Sequence, residues 1–120
     1  MTFEEFNFAR KRLHPIVLKE ILKETRLPDY MHEGLILYLV EGILPGDFLT
    51  AVLQNDFMEA CGRADATNRD LLFDYALFLY NDAPRWAWGS VEKVRQWTEH
   101  GTEARRLVFE AEAPTGEGRY

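Results

Sequence analysis

The sequence predicts a small all-α protein: a bundle of about four core helices with an N-terminal helical arm and a flexible C-terminal tail. Apolar residues recur at helical spacing in several segments. Capping residues and Gly or Pro breaks separate these segments at short intervals. The chain has 120 residues, of which 47% are hydrophobic, so it can build one modest core without disulfides.

The N-terminal part of the chain predicts two helices that form an arm distinct from the body. Thr2 and Glu5 make a capping box, which predicts a helix start directly after Thr2. Pro15 then breaks this helix, because proline cannot continue a helix from the preceding turn. We therefore expect one helix over about residues 3–13 and a second over about residues 15–25.

Four further helices are expected in a core domain that spans residues 26–101. Gly42 and Ser90 have the residue types of a helix C-cap and a helix N-cap. The four helices are expected over about residues 29–41, 48–61, 68–80 and 91–100. Residues 1–25 are then the arm, and residues 102–120, with their proline and glycines, are the tail.

Charge and composition narrow the class of partner. The net charge is −6, and residues 26–101 carry 12 acidic and six basic side chains. An acidic body disfavours direct binding to a nucleic-acid backbone, which requires clustered Lys and Arg. The longest apolar run, residues 35–40, is too short to span a membrane. No membrane contact is therefore expected. Cys61 is the single cysteine, which favours a cytoplasmic protein.

A polar pair, Asn55 and Asp56, interrupts the helix predicted over residues 48–61. On one continuous helix Asp56 falls in the apolar stripe, where a carboxylate needs a partner. The start of another helix and Arg69 are the two candidates. We expect Asp56 to fix the packing register of the bundle. A functional carboxylate acting with Glu59, or simple exposure, are the alternatives.

The remaining polar residues predict neither a metal site nor a catalytic centre. The three histidines lie far apart, and one cysteine gives no zinc spacing. His32, on an apolar helix face, is expected to be a hydrogen-bonded core residue. Asp70 and Asp74 are expected to be one turn apart on an exposed helix edge. Neither a phosphate-binding loop nor a nucleophile motif is present, so no cofactor and no enzymatic activity are expected.

The loop over residues 81–90 is the predicted contact surface. Arg85, Trp86 and Trp88 are residue types that are frequent in binding hot spots, and Asp70 and Asp74 would add an acidic edge. The alternative is that the tryptophan rings fold back over the open end of the bundle. The preceding helix is apolar nearly all round, so we expect one of its sides to meet a partner, with a homodimer as the predicted assembly.

Seven short motifs lie between residues 31 and 90. They are residues 31–34 (MHEG), 45–53 (PGDFLTAVL), 55–56 (ND), 59–60 (EA), 63–65 (RAD), 78–81 (FLYN) and 88–90 (WGS). Together they resemble a family of small proteins encoded by bacteriophages and prophages. The resemblance covers about residues 27–99, and no activity or catalytic residue comes with it.

The resemblance implies an accessory role in a bacterial cytoplasm. By analogy with other small acidic phage proteins, the expected function is binding a host protein, as an inhibitor of a defence system or of a host enzyme. The alternative is a small-ligand protein that binds or sequesters nucleotides at an oligomer interface. In that case Arg69, Arg85 and the tryptophans would supply charge and stacking.

Overall fold

Seven α-helices follow one another in the computed structural model, which describes Thr2 and residues 13–99. They are α1 (Pro15–Lys23), α2 (Asp29–Ile36), α3 (Asp47–Leu53), α4 (Phe57–Arg63), α5 (Ala66–Arg69), α6 (Leu72–Asp82) and α7 (residues 91–99). A π-helical turn, Leu37–Glu41, extends α2, and a 3₁₀ turn, Arg85–Ala87, precedes α7. No strand occurs within the described residues. The predicted all-α class is confirmed.

Helix α1, the second helix of the predicted N-terminal arm, packs onto the core. Pro15 occupies the first turn, where its missing N–H costs no hydrogen bond. The His14 Nδ1 atom accepts a hydrogen bond from the Ile16 N–H and caps the helix. Leu18 and Leu22, one turn apart, are buried in the same cluster as the other helices' leucines. The helix predicted over 3–13 and the tail over 102–120 lie outside the described residues.

Two predicted helix boundaries are confirmed because local chemistry fixes them. The helix predicted over residues 29–41 corresponds to α2 and its π-helical turn, and Gly42 ends it with φ 75°. Glycine takes this left-handed conformation without the steric cost of a Cβ. Ser90 caps α7, since its hydroxyl accepts a hydrogen bond from the Lys93 N–H at 3.1 Å.

The centre of the core joins α2, α7 and the 3₁₀ turn through two buried aromatic residues. Trp97 of α7 is fully buried, and its indole N–H donates to the Tyr38 carbonyl oxygen at 3.0 Å. The Tyr38 hydroxyl in turn donates to the Ala87 carbonyl oxygen at 2.6 Å. Each ring thereby buries a large apolar area while its polar atom keeps a partner.

A second chain of polar groups fixes the short helix α5 between α2 and α6. The Tyr75 hydroxyl donates to the Oδ1 atom of buried Asn68 at 2.5 Å. The Tyr30 hydroxyl donates to the Asp65 carboxylate at 2.6 Å. This bond raises the pKa of Tyr30 and lowers the pKa of Asp65. Burial raises the pKa of Tyr75 well above its usual value, so its hydroxyl stays a donor.

Replacing Tyr38 with Phe is expected to lower the free energy of unfolding by about 1–3 kcal/mol, because the buried Ala87 carbonyl loses its donor. Urea denaturation followed by circular dichroism measures this loss. Tyr80→Phe is the matched control: Tyr80 is largely exposed, so its change should stay within about 0.5 kcal/mol. Equal effects of the two variants would contradict the buried bond.

Candidate functional site

The helix predicted over residues 48–61 is in fact two helices, and the break between them shapes the site. Asn55 takes a left-handed conformation with φ 63°, which asparagine adopts more readily than most residues. The Asp56 N–H donates to the Ala51 carbonyl at 2.9 Å, and the Asn55 N–H donates to the Val52 carbonyl at 3.0 Å. This pair of bonds is a Schellman motif, which ends α3.

Asp56 is exposed at the start of α4, so the prediction that it lies in a buried stripe is wrong. Its Oδ1 atom accepts a hydrogen bond from the Glu59 N–H at 3.2 Å and thereby caps its own helix. It does not cap another helix, and Arg69, the other predicted partner, is exposed at the end of α5. The prediction failed because the apolar stripe belongs to one continuous helix, whereas the structure has two helices there.

An apolar groove of about 580 Å³ lies between the α3–α4 pair and α6. Ala51 and Ala60 are buried, and their small side chains leave space above them. The groove is lined by Ala51, Val52, Asn55, Asp56, Phe57, Ala60, Leu72, Phe73, Ala76, Leu79, Tyr80 and Trp88. Sequence analysis selected Trp88 and one side of the helix at 68–80 as contact surfaces, but it missed the α3–α4 wall because it assumed one continuous helix there.

Large aromatic side chains of the groove are exposed. Phe57, Phe73 and Tyr80 have exposed fractions of 64%, 72% and 66%. Single exposed apolar residues are ordinary on a protein surface. Three aromatic rings along one apolar groove instead form a contiguous patch, of the kind that marks a binding surface.

The tryptophan loop lies at one end of the groove. The Gly89 N–H donates to the Leu53 carbonyl at 2.8 Å, which fixes the loop to the end of α3. Trp88 lines the groove, and its ring centroid is 6.3 Å from that of Tyr80. The Arg85 guanidinium lies 5.8 Å from the Tyr80 ring centroid, within range of a cation–π contact.

The two predicted tryptophans are both half-buried and pack against the core, as the fold-back alternative expected. They differ in that Trp88 also lines the groove, whereas Trp86 does not. The Trp88 indole N–H donates to the Ala83 carbonyl at 3.4 Å. Of the predicted contact loop, Trp88 forms part of the groove wall and Arg85 lies beside that wall.

The two residues of the predicted acidic edge lie in and after a break at residues 70–71 of the helix expected over 68–80. Asp70 lies in the turn after α5, whereas Asp74 lies in the first turn of α6. The Asp74 carboxylate is 3.8 Å from the Arg26 guanidinium. Neither residue lines the groove, so the structure does not bring this pair together with Trp88.

The groove favours an apolar ligand over a phosphate-bearing one. Asp56 is the one ionisable carboxylate among its lining residues, and none of those residues is Lys or Arg. Within the described part of the chain, no group of three or more His, Cys, Asp and Glu residues could hold a metal ion. His32 is buried, with its Nε2 atom 2.8 Å from the Leu27 carbonyl oxygen, and lies away from the groove.

No helix among the described residues has both the length and the apolar character required to cross a bilayer. Comparisons of the chain with family models, with curated proteins and with solved structures gave no match. The resemblance to phage proteins stays a prediction.

Replacing Asp56 with Ala is expected to lower the free energy of unfolding by ~1 kcal/mol, because α4 loses its N-cap. Asp56→Asn should change it by less than about 0.5 kcal/mol, since asparagine caps helices equally well. Urea denaturation of both variants measures the difference. A loss with Asn as large as the loss with Ala would show that the charge, rather than the cap, is required.

Proposed function

We propose that this chain is a non-catalytic accessory protein of a phage or mobile element, which acts in the bacterial cytoplasm by binding a host protein. The observation that carries the proposal is the apolar groove between α3–α4 and α6, with three exposed aromatic rings along it. A partner that covers these rings removes a large apolar area from water, which is the main favourable term in protein association.

The polar groups of the groove support binding rather than catalysis. The enzyme alternative paired Asp56 with Glu59 as acid and base. The Asp56 carboxylate accepts a backbone hydrogen bond as a helix cap, and the Glu59 carboxylate accepts one from the Arg63 guanidinium at 2.8 Å. Both carboxylates therefore have structural partners, and Glu59 does not line the groove.

A nucleotide is a poorer fit to this groove than a protein. Phosphate groups require cationic side chains or free backbone N–H groups. The one charged lining residue is Asp56, which repels an anion. Arg69 and Arg85, which the nucleotide alternative invoked, both lie outside the lining. Protein binding is therefore the function that the geometry supports best.

The consequence for a host target would be inhibition by occupancy. A small acidic protein that binds an enzyme or a defence component covers surface which that component needs for its own contacts. A homodimer, the assembly predicted from the sequence, would use the same apolar surface of α6, so self-association and host binding at the groove would compete.

Ala76→Arg is the variant that tests host binding. Ala76 is exposed in the groove wall, so arginine there places charge and bulk in the groove without disturbing the core. Tagged full-length chain, incubated in bacterial lysate, should retain a specific host protein identified by mass spectrometry. The variant should reduce that capture at least about tenfold, a loss of about 1.4 kcal/mol.

Ile16→Arg is the matched control, because Ile16 is an exposed apolar residue of α1 outside the groove. It should capture the host protein as the unmodified chain does. Equal capture by Ala76→Arg and Ile16→Arg would contradict binding at the groove. Failure of all three proteins to capture any partner would contradict host binding itself.

A further inference from the structure

We propose that the groove accepts an amphipathic α-helix of the partner, about two turns long at the contact, with a Lys or Arg side chain at the end near Asp56. This inference rests on the proposed function and specifies the partner's chemistry. Three features of the groove carry it: the spacing of its α6 wall, the small residues beneath it and the position of its single charge.

The α6 wall has the dimensions of a helix-binding surface. Its lining residues are Leu72, Phe73, Ala76, Leu79 and Tyr80, a stripe at positions i, i+1, i+4, i+7 and i+8. At about 1.5 Å per residue this stripe is ~12 Å long, which is about two helical turns. A bound helix that presents apolar residues at i, i+3, i+4 and i+7 covers ~10.5 Å, so the two lengths match.

Small residues allow such a helix to approach closely. Ala51 and Ala60 are buried beneath the groove, and Ala76 lies in its α6 wall. Opposite α6, Val52 and Phe57 form the second wall from the α3–α4 pair. Two helical walls with alanines between them leave a trough into which the apolar side chains of a third helix can insert. A helix placed there would pack against the exposed face of α6.

The negative charge of the groove favours an occupant with a positive charge. Asp56 is exposed at the junction of α3 and α4. The bond from the Gly89 N–H to the Leu53 carbonyl holds the tryptophan loop at that same helix end. A cation of the occupant therefore meets the Asp56 carboxylate at the groove end that Trp88 lines. The Tyr80 ring already has the Arg85 guanidinium 5.8 Å from its centroid, so the carboxylate is the group that attracts this cation.

The net charge of the surrounding protein also favours a basic occupant. Residues 13–99 carry 14 acidic and eight basic side chains, so the described body attracts a basic segment at long range. A second copy of this acidic chain would be repelled by the same field. Because Asp56 is solvent-exposed, its ion pair adds selectivity between partners more than affinity.

Model peptides test this inference directly. The probe is a 16-residue alanine-based helical peptide with leucines at i, i+3, i+4 and i+7 and two terminal lysines. A second peptide has the same composition with its leucines spread around the helix, and a third has glutamates in place of the lysines. Isothermal titration of the full chain with each peptide gives three dissociation constants.

The first peptide should bind at least about tenfold more tightly than the peptide with spread leucines, because the groove accepts one apolar face. It should also bind severalfold more tightly than the acidic peptide. Asp56→Asn, which keeps the helix cap, should remove most of this preference for lysine over glutamate. Ala76→Arg should abolish binding of all three peptides, whereas Ile16→Arg should leave it unchanged.

Equal binding of the first and second peptides, or no binding of the first at millimolar concentration, would overturn the inference. Light scattering that shows a dimer would also overturn the inference if the dimer must dissociate before the peptide binds. A second copy of the chain would then be the occupant of the groove. If the host protein is captured in a way that depends on Ala76, but no peptide binds, the proposed function is supported and the helical occupant is refuted. Peptide binding without host capture would refute the proposed function instead.

Discussion

The left-handed turn at Asn55 determines how the groove and the tryptophan loop are positioned. In a continuous helix the Leu53 carbonyl would accept a hydrogen bond from the N–H four residues later. Because the helix ends at Leu53, that carbonyl instead accepts the Gly89 N–H, which positions the tryptophan loop. The same break starts α4 in a new direction and leaves the groove between α3–α4 and α6. One left-handed residue thus separates the two helices of one groove wall and leaves the Leu53 carbonyl free to hold the tryptophan loop.

Short-range chemistry explains which parts of the fold could be predicted. The extent of α2 with its π-helical turn follows from apolar periodicity and from Gly42, and the start of α7 follows from Ser90. The break at Asn55 carried a signal as well. Asp56 followed by Glu59 three residues later has the spacing of a capping box, preceded by a residue that tolerates φ above zero. The strong apolar periodicity on both sides outweighed that signal.

The site was less predictable because it is a tertiary feature. Trp88 could be selected from its residue type, but whether a tryptophan only packs on the core, as Trp86 does, or also lines a groove depends on contacts with other helices. The prediction for Asp56 and the prediction of one helix over residues 68–80 share a cause. Each assumed that a helical pattern continues where the structure has a turn between two helices.

The openness of the groove to solvent in the isolated chain can be measured by nuclear magnetic resonance with a soluble nitroxide. Exposed methyl groups are broadened by such a probe and buried ones are spared. We expect strong broadening of the Ala76 methyl signal and little broadening of the Ala87 signal, because Ala87 is fully buried. An Ala76 methyl as protected as that of Ala87 would mean that the groove is already filled, and would rule it out as an open binding surface.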